Sequence, residues 1–219
     1  MKIVRIDKSL KNKVPGYCIA VMSFEIKVSP STEELKAIMI KLGQEVKSQL
    51  TLETLLKEPR ILAARSGYKA LGKDPSRYRL ATESLLRRLI KGNDLYYVSN
   101  AVDIGNLLSA KTQRSVAVLD EDQIEGEILI RIGSDEPYEG IGRGKINITN
   151  IPVYCDEIGP FGSPTSDTPR TQIRKTTKQI LLFITSFNGT EGLTTDAQLA
   201  KELFEQFCDV SNFSLEIVT

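Results

Sequence analysis

Helical and strand-forming patterns occupy different halves of this chain, and that segregation constrains the fold of its 219 residues more than any other feature. In the first half, Leu35, Ile38, Met39 and Leu42 fall at i, i+3, i+4 and i+7 behind a Ser31/Glu34 capping box, which predicts a helix. LLKEPRILAARSGYKAL continues as a helical stretch interrupted at Pro59. DPSRYRLATESLLRRLIKG offers Asp74 as a cap, Pro75 at the first helical position, an apolar stripe of Leu85, Leu86, Leu89 and Ile90, and a stop at Gly92. SNAVDIGNLLSAK makes one more short helix with Val102, Leu107 and Leu108 inward. The exception in this half is YCIAVMSFEIKVS, residues 17–29, an apolar run that continues with alternation at Phe24, Ile26 and Val28 and so reads as a strand entering the core.

The second half is rich in short β-branched or aromatic runs separated by turns: SVAVLD, EILIRIG, NITNIPVYC and ILLFITSF. Thr195 and Gln198 make a second capping box ahead of Ala200, Leu203, Phe204 and Phe207, and FSLEIV closes as a strand. Helices grouped first and strands grouped later predict an α+β domain with a mixed sheet, not a strict βαβ repeat. The strands around 115–132, 150–155 and 179–187 are expected to join one sheet whose edge faces residues 159–172. With 41% hydrophobic and 26% charged residues the composition is that of a globular protein, read as a single domain over 1–219.

Composition narrows the chemistry further. The opening MKIVRIDKSLKNKV has no uninterrupted apolar run, and no stretch approaches the ~20 apolar residues of a bilayer span, so no membrane partner and a cytoplasmic location are expected. Cys18, Cys155 and Cys208 are too widely spaced for a disulfide framework or a metal knuckle, and neither metal nor cofactor is expected. The chain has no histidine at all, which removes the commonest general base and every Ser-His or Cys-His pair. Any catalysis must use carboxylates, Lys, Tyr, backbone amides or the substrate itself.

The net charge of +1 argues against bulk electrostatic coating of nucleic acid, and no DNA partner is expected, but the charges are unevenly spread. Arg77, Arg79, Arg87, Arg88 and Lys91 crowd residues 77–91, whereas residues 120–139 hold eight acids against Arg131. GIGRGK, residues 140–145, fits neither GxxxxGK[ST] nor GxGxxG and reads as a turn between strands. GPFGSPTSDTPRTQIRKTTKQILLF, residues 159–183, sets turn-forming glycines, prolines and hydroxyls beside Arg170, Arg174, Lys175 and Lys178. Local turn chemistry explains most of that composition, and exposed amides, hydroxyls and cations together also suit an anion.

Four segments, in order, resemble the editing domain of the phenylalanyl-tRNA synthetase beta subunit in a freestanding form: DPSRYRLATESLLRRL, YYVSNAVDIGNLLSAKTQRSVAVLDEDQIEG, GPFGSPTSDTPRT and TKQILLFITSF. That family carries an NxVDxTNY-like helix, a strand ending in an FDxDxIxG turn, a glycine-rich pocket loop and a T-x-x-V-L-L strand. The matching places are Asn100 to Leu107, Leu119 to Gly126, Gly159 to Gly162, and Thr177 to Leu182. The resemblance implies a layered fold of mixed sheets and flanking helices around a pocket that accepts an aminoacyl group. In the synthetase this domain hydrolyses a wrongly attached amino acid, chiefly tyrosine, from the tRNA.

Carried over by position, the resemblance implies a pocket lined by Asn100, Asp103, Asn106, Gly159, Gly162, Ser163, Thr165 and Ser166, with no side-chain base. The glycines would let backbone amides approach an ester, and Arg77, Arg87, Arg88, Arg170 and Arg174 would meet RNA phosphates. Two departures stand out. The histidine that often precedes the family's strand-end FD is replaced here at or near Ala117, and the acidic residue after its V-L-L run is Phe183. An apolar or small side chain is therefore expected in place of tyrosine. The expected partner is the aminoacyl end of a tRNA and the expected reaction is hydrolysis of a mischarged ester in trans, without ligase activity. A non-catalytic RNA- or tRNA-binding module, and a binder or enzyme of a free amino-acid derivative, remain open as alternatives.

Overall fold

The long strand expected near the amino terminus runs Cys18–Glu25 and lies inside a sheet covered on both faces. The computed structural model describes residues 1–219. In chain order the elements are β1 (Val4–Ile6), α1 (Lys8–Lys13), β2 (Cys18–Glu25), α2 (Glu33–Gln49), α3 (Leu52–Leu55), α4 (Pro59–Ala70), α5 (Ala81–Ile90), α6 (Asn100–Thr112), β3 (Ser115–Asp120) and β4 (Ile128–Ile132). There follow β5 (Glu139–Gly140), β6 (Gly144–Lys145), β7 (Pro152–Cys155), β8 (Pro160–Gly162), β9 (Gln179–Ser186), α7 (Leu193–Phe207) and β10 (Ser211–Val218).

The strands expected in one sheet divide between two. One sheet has the antiparallel order β10-β2-β9-β3; the other has the order β1-β4-β7-β8, mixed because β1 runs parallel to β4. The physical reason is visible in β2 and β9. Ala20, Met22, Phe24, Leu182 and Ile184 point into a core shared with α2, α5, α6 and α7, while Ile19, Val21, Leu181 and Phe183 point into a second core shared with β4, β7 and β8. A strand buried on both faces is apolar at every position, which is what CIAVM and ILLFI record. The result is an α+β fold of three layers: helices, the four-stranded antiparallel sheet, and the mixed sheet.

Several helix ends differ from the sequence expectation, for Ser31 because its side chain has a tertiary partner and for Asp74 because it closes a local turn. Thr32, not Ser31, caps α2 by accepting from the Leu35 amide at 3.2 Å, and Ser31 Oγ donates instead to Asp103 Oδ2 at 2.5 Å. Asp74 caps a separate turn, accepting from Ser76 N at 2.9 Å and Ser76 Oγ at 2.7 Å, so α5 starts at Ala81. Helix α7 begins at Leu193, after Gly192 at φ 71°, ahead of the expected Thr195 cap. Pro59 opens α4 at the position where its missing N–H loses nothing. GIGRGK forms the β5–β6 hairpin, with Gly140 opposite Gly144.

Candidate functional site

Strand β3 is an edge strand, and alternation sends Ala117 and Leu119 into the core between the sheets while Val116 and Val118 face α6. Helix α6 comes unusually close there: a Cβ at Gly105 would lie 2.5 Å from Val118 Cγ2. Only glycine permits that approach. Beyond the edge, the segment 163–173 and the β5–β6 hairpin close over the gap. Together they leave a cavity of about 210 Å³ walled by Val102 and Gly105 of α6, Val116 and Val118 of β3, and Ile173. Val98 and Ile141, 65% and 44% exposed, form its rim.

Three polar side chains face this apolar space: Asn106, Asp167 and Gln172. The Asn106 and Gln172 amides have no protein partner. Asp167 is half-buried, held by its backbone carbonyl accepting from the Ile141 amide at 2.9 Å, and its Oδ1 is sealed from solvent without any hydrogen bond. Burial pushes the carboxyl up to about 7, because no cation compensates the desolvated charge. Sequence reasoning passed over Asp167, since within SPTSDTP an aspartate reads as one more turn residue.

The side chains named from the sequence divide sharply. Asn106 borders the cavity. Asn100 and Asp103 share its helix but point away: Asn100 Nδ2 donates to the carbonyls of Lys27 and Phe207, each at 2.9 Å, and its Oδ1 accepts from the Ser29 amide at 3.0 Å. Asp103 accepts from Ser31 Oγ and, at 2.8 Å, from the Val98 amide; burial raises its pKa despite these bonds. Both fasten α6 to the segments that precede it, and Asn100 also ties it to the end of α7.

In the loop, Ser163 Oγ accepts from the Thr165 and Ser166 amides at 3.3 and 3.1 Å and donates to the Ser166 carbonyl at 2.9 Å, closing a turn on itself. Thr165 Oγ1 shares a buried 2.8 Å hydrogen bond with Tyr68, and Ser166 Oγ points to the Asp167 carbonyl at 3.4 Å. The Pro164 carbonyl accepts from the Ala81 amide and Ser115 Oγ at 2.8 and 2.9 Å. The hydroxyl row is thus engaged in pinning the loop beside α6 and β3. Gly162 lies against the core, where a Cβ would sit 2.7 Å from the Tyr154 ring and 2.9 Å from Asp167 Oδ1. Gly159, at φ 141°, belongs to the β7–β8 turn, outside the cavity.

Ala117 and Phe183 are direct partners across β3 and β9. Both side chains face the core between the sheets, Phe183 packing edge-on against Tyr154 with ring centroids 4.9 Å apart. Neither borders the cavity, whose apolar walls are instead its valines and isoleucines.

Of the five arginines, two have carboxylate partners. Arg87 Nε meets Glu83 Oε1 at 2.8 Å, and Arg170 grips Asp156 with two 2.8 Å bonds. Both carboxylates are fully buried at the side chain. Arg88 lies over the Tyr96 ring and donates to its hydroxyl at 2.9 Å. Arg77 and Arg174 are exposed, as are Lys175 and Lys178. The three cysteines are buried and unpaired, no group of side chains has the makings of a metal site, and no helix is long and apolar enough to cross a membrane.

A family model described as the B3/4 domain matches residues 63–214. Among solved structures, a crystal structure of an N-terminal fragment of the phenylalanyl-tRNA synthetase beta-subunit from Pyrococcus horikoshii is similar at 11% identity and a TM-score of 0.46, over 99% of this chain and 50% of that one. The chain therefore spans half the length of that fragment. No curated protein matches the sequence.

Proposed function

Because the chain belongs to the B3/4 domain family, found in the phenylalanyl-tRNA synthetase beta subunit, we propose that it binds the aminoacyl end of a tRNA and hydrolyses a mischarged ester in trans. The observation that carries this reading is the cavity where α6, β3 and the loop 163–173 converge. At about 210 Å³ it lies below the ~300 Å³ where drug-sized ligand pockets begin, and its apolar walls suit a single amino-acid side chain. The reading takes residues 1–219 as one working unit, since β2 and β10, from opposite ends of the chain, pair in the central sheet.

An aminoacyl ester is already activated. Water adds to its carbonyl carbon, the bond to the ribose oxygen breaks, and that oxygen takes a proton. A chain without histidine contributes by positioning: the cavity fixes the acyl group, and the vicinal ribose hydroxyl of the substrate assists the proton transfer. Exposed Arg77, Arg174, Lys175 and Lys178 are the cations free to meet phosphates.

The ion pairing of Arg87 and Arg170, with a net charge of only +1, favours a second reading in which the ligand is a free amino-acid derivative. A panel of mischarged tRNAs incubated with the purified protein separates the two. Release of amino acid from at least one member is expected. Binding without release leaves a tRNA-binding module, and neither binding nor release at low salt leaves the free derivative.

A further inference from the structure

Asp167 is the one charged side chain among those lining the cavity, and no other side chain of the fold pairs with it. The groups that face it are Tyr138 and Tyr154, both with hydroxyls already engaged: Tyr138 donates to the Ser166 carbonyl and Tyr154 bonds Thr185 Oγ1 at 2.7 Å. The nearby cation, Arg143, reaches the Thr165 carbonyl at 3.4 Å and makes no bond to Asp167. A Cβ at Gly162 would stand 2.9 Å from Oδ1, so the backbone leaves the carboxyl room; the Ser163 amide alone favours its charged form, and Oδ1 has no hydrogen bond. Elsewhere in this chain each buried carboxylate has a side-chain donor: Glu83 has Arg65 and Arg87, Asp156 has Arg170, Asp196 has Arg60 and Arg114, Glu121 has Ser23, Asp120 has Thr177 and Asp103 has Ser31. Asp167 is the exception, and it is the one that borders the cavity.

We propose that Asp167 receives the α-ammonium group of the bound aminoacyl moiety, so that the site takes substrates with a free α-amine and rejects those whose amine is acylated. This rests on reading the cavity as the seat of an aminoacyl group. Every unmodified aminoacyl ester carries one cation, the α-ammonium, whatever its side chain. In a cavity walled by valine and isoleucine that cation needs a carboxylate, and the carboxylate needs a donor. An N-acyl group removes the charge, adds bulk to a small space, and leaves the carboxylate unpaired. The amides of Asn106 and Gln172 remain to meet the ester and ribose oxygens.

The test uses adenosine analogues in which an amide replaces the ester, carrying alanyl, valyl or leucyl groups with the amine free or acetylated, titrated calorimetrically into the whole chain. The free-amine form of at least one analogue should bind ~10- to 100-fold more tightly than its acetylated form, the usual range for a hydrogen bond to a charged partner. Asp167→Asn should reduce that ratio to below about threefold without weakening the acetylated form. From pH 7 to pH 5 the ionised fraction of a carboxyl at about 7 drops from about one half to about one hundredth, while an α-amine stays protonated, so free-amine affinity should fall roughly 50-fold. Equal binding of free and acetylated forms overturns the proposal. So does a preference that survives Asp167→Asn, or no binding of any free-amine analogue at millimolar concentration. Deacylation is read separately. A protein that holds the amine through Asp167 but releases no amino acid from tRNA keeps this inference and loses the hydrolytic reading; one that deacylates without amine preference does the reverse.

Discussion

Asp167→Asn should make the protein more stable at pH 8, by an amount that shrinks steadily as the pH falls toward 4. Burial raises this carboxyl from its ordinary 3.8 to about 7, so between those values the native state holds a proton that the unfolded chain has already released. The unfolded state therefore binds fewer protons, and stability falls as pH rises through that window. Above about pH 8 the loss is complete. A shift of about three units, at about 1.4 kcal/mol each, sets a ceiling of ~4 kcal/mol. The side of the carboxyl that borders the cavity keeps some hydration, which brings the expected gain on substitution to ~1–3 kcal/mol. Asparagine has the same shape and cannot ionise. At pH 5 the native carboxyl is neutral but the unfolded one is already ionised, so the gain should shrink to roughly 0.4 of its pH 8 value and vanish only below about pH 4, where the group is protonated in both states.

Urea unfolding of both proteins at pH 5, 6, 7 and 8 reads this directly, provided the dependence on denaturant has the same slope in each. A substitution that destabilises at pH 8, or whose effect is the same at every pH, refutes the reasoning, because either result means that the carboxylate is already paired in the native state. The expected gain is also what a ligand-binding residue should show, since a group kept unsatisfied for a partner lowers stability until the partner arrives.

Other side chains give equally direct expectations. Glu83→Gln, which strips the buried partner from Arg65 and Arg87, should cost ~3–5 kcal/mol in urea unfolding, whereas Arg174→Glu on the surface should stay within ~0.5 kcal/mol and, if tRNA binds, weaken it and lower the salt slope by about one. Gly162→Trp should fail to fold, because even a Cβ meets the Tyr154 ring at 2.7 Å; Val102→Trp, starting from a half-buried wall position, should fill the cavity and abolish deacylation with a melting temperature within a few degrees of the parent. Burial pushes the Cys155 and Cys208 thiols up to about 11 and about 12, so a thiol reagent should leave the native protein untouched at pH 8 and label three cysteines once it is unfolded.

The fold was legible where the pattern is periodic and local. Leu35, Met39 and Leu42 mark the inner face of α2, and the unbroken apolar runs of β2 and β9 announce strands covered on both sides. What those runs lack is any statement of which layer covers which side. Period-two alternation assigns residues to faces but does not name the facing element, so one expected sheet became two. Helix ends failed for a related reason. Ser31, Asp74 and Thr195 have the chemistry of caps, but a hydroxyl or carboxylate has competing partners: Ser31 donates to Asp103 across the fold, and Asp74 closes a local turn with Ser76.

The same competition governs how the site could be read. Arg170 looks like a free cation in a stretch of loop, yet Asp156, fourteen residues earlier, takes both of its outer nitrogens. Asp103 looks like a pocket acid on a polar helix edge, yet Ser31 and the Val98 amide close it. Asp167 looks like a turn residue, yet it has no side-chain partner and its Oδ1 is buried without a hydrogen bond. A charged residue becomes available for a ligand only when folding leaves it without a partner, and partner assignment is a property of long-range packing. SNAVDIGN and the loop at 163–173 do meet at one cavity, while which carboxylate there is left without a side-chain partner is decided by packing that no local motif records.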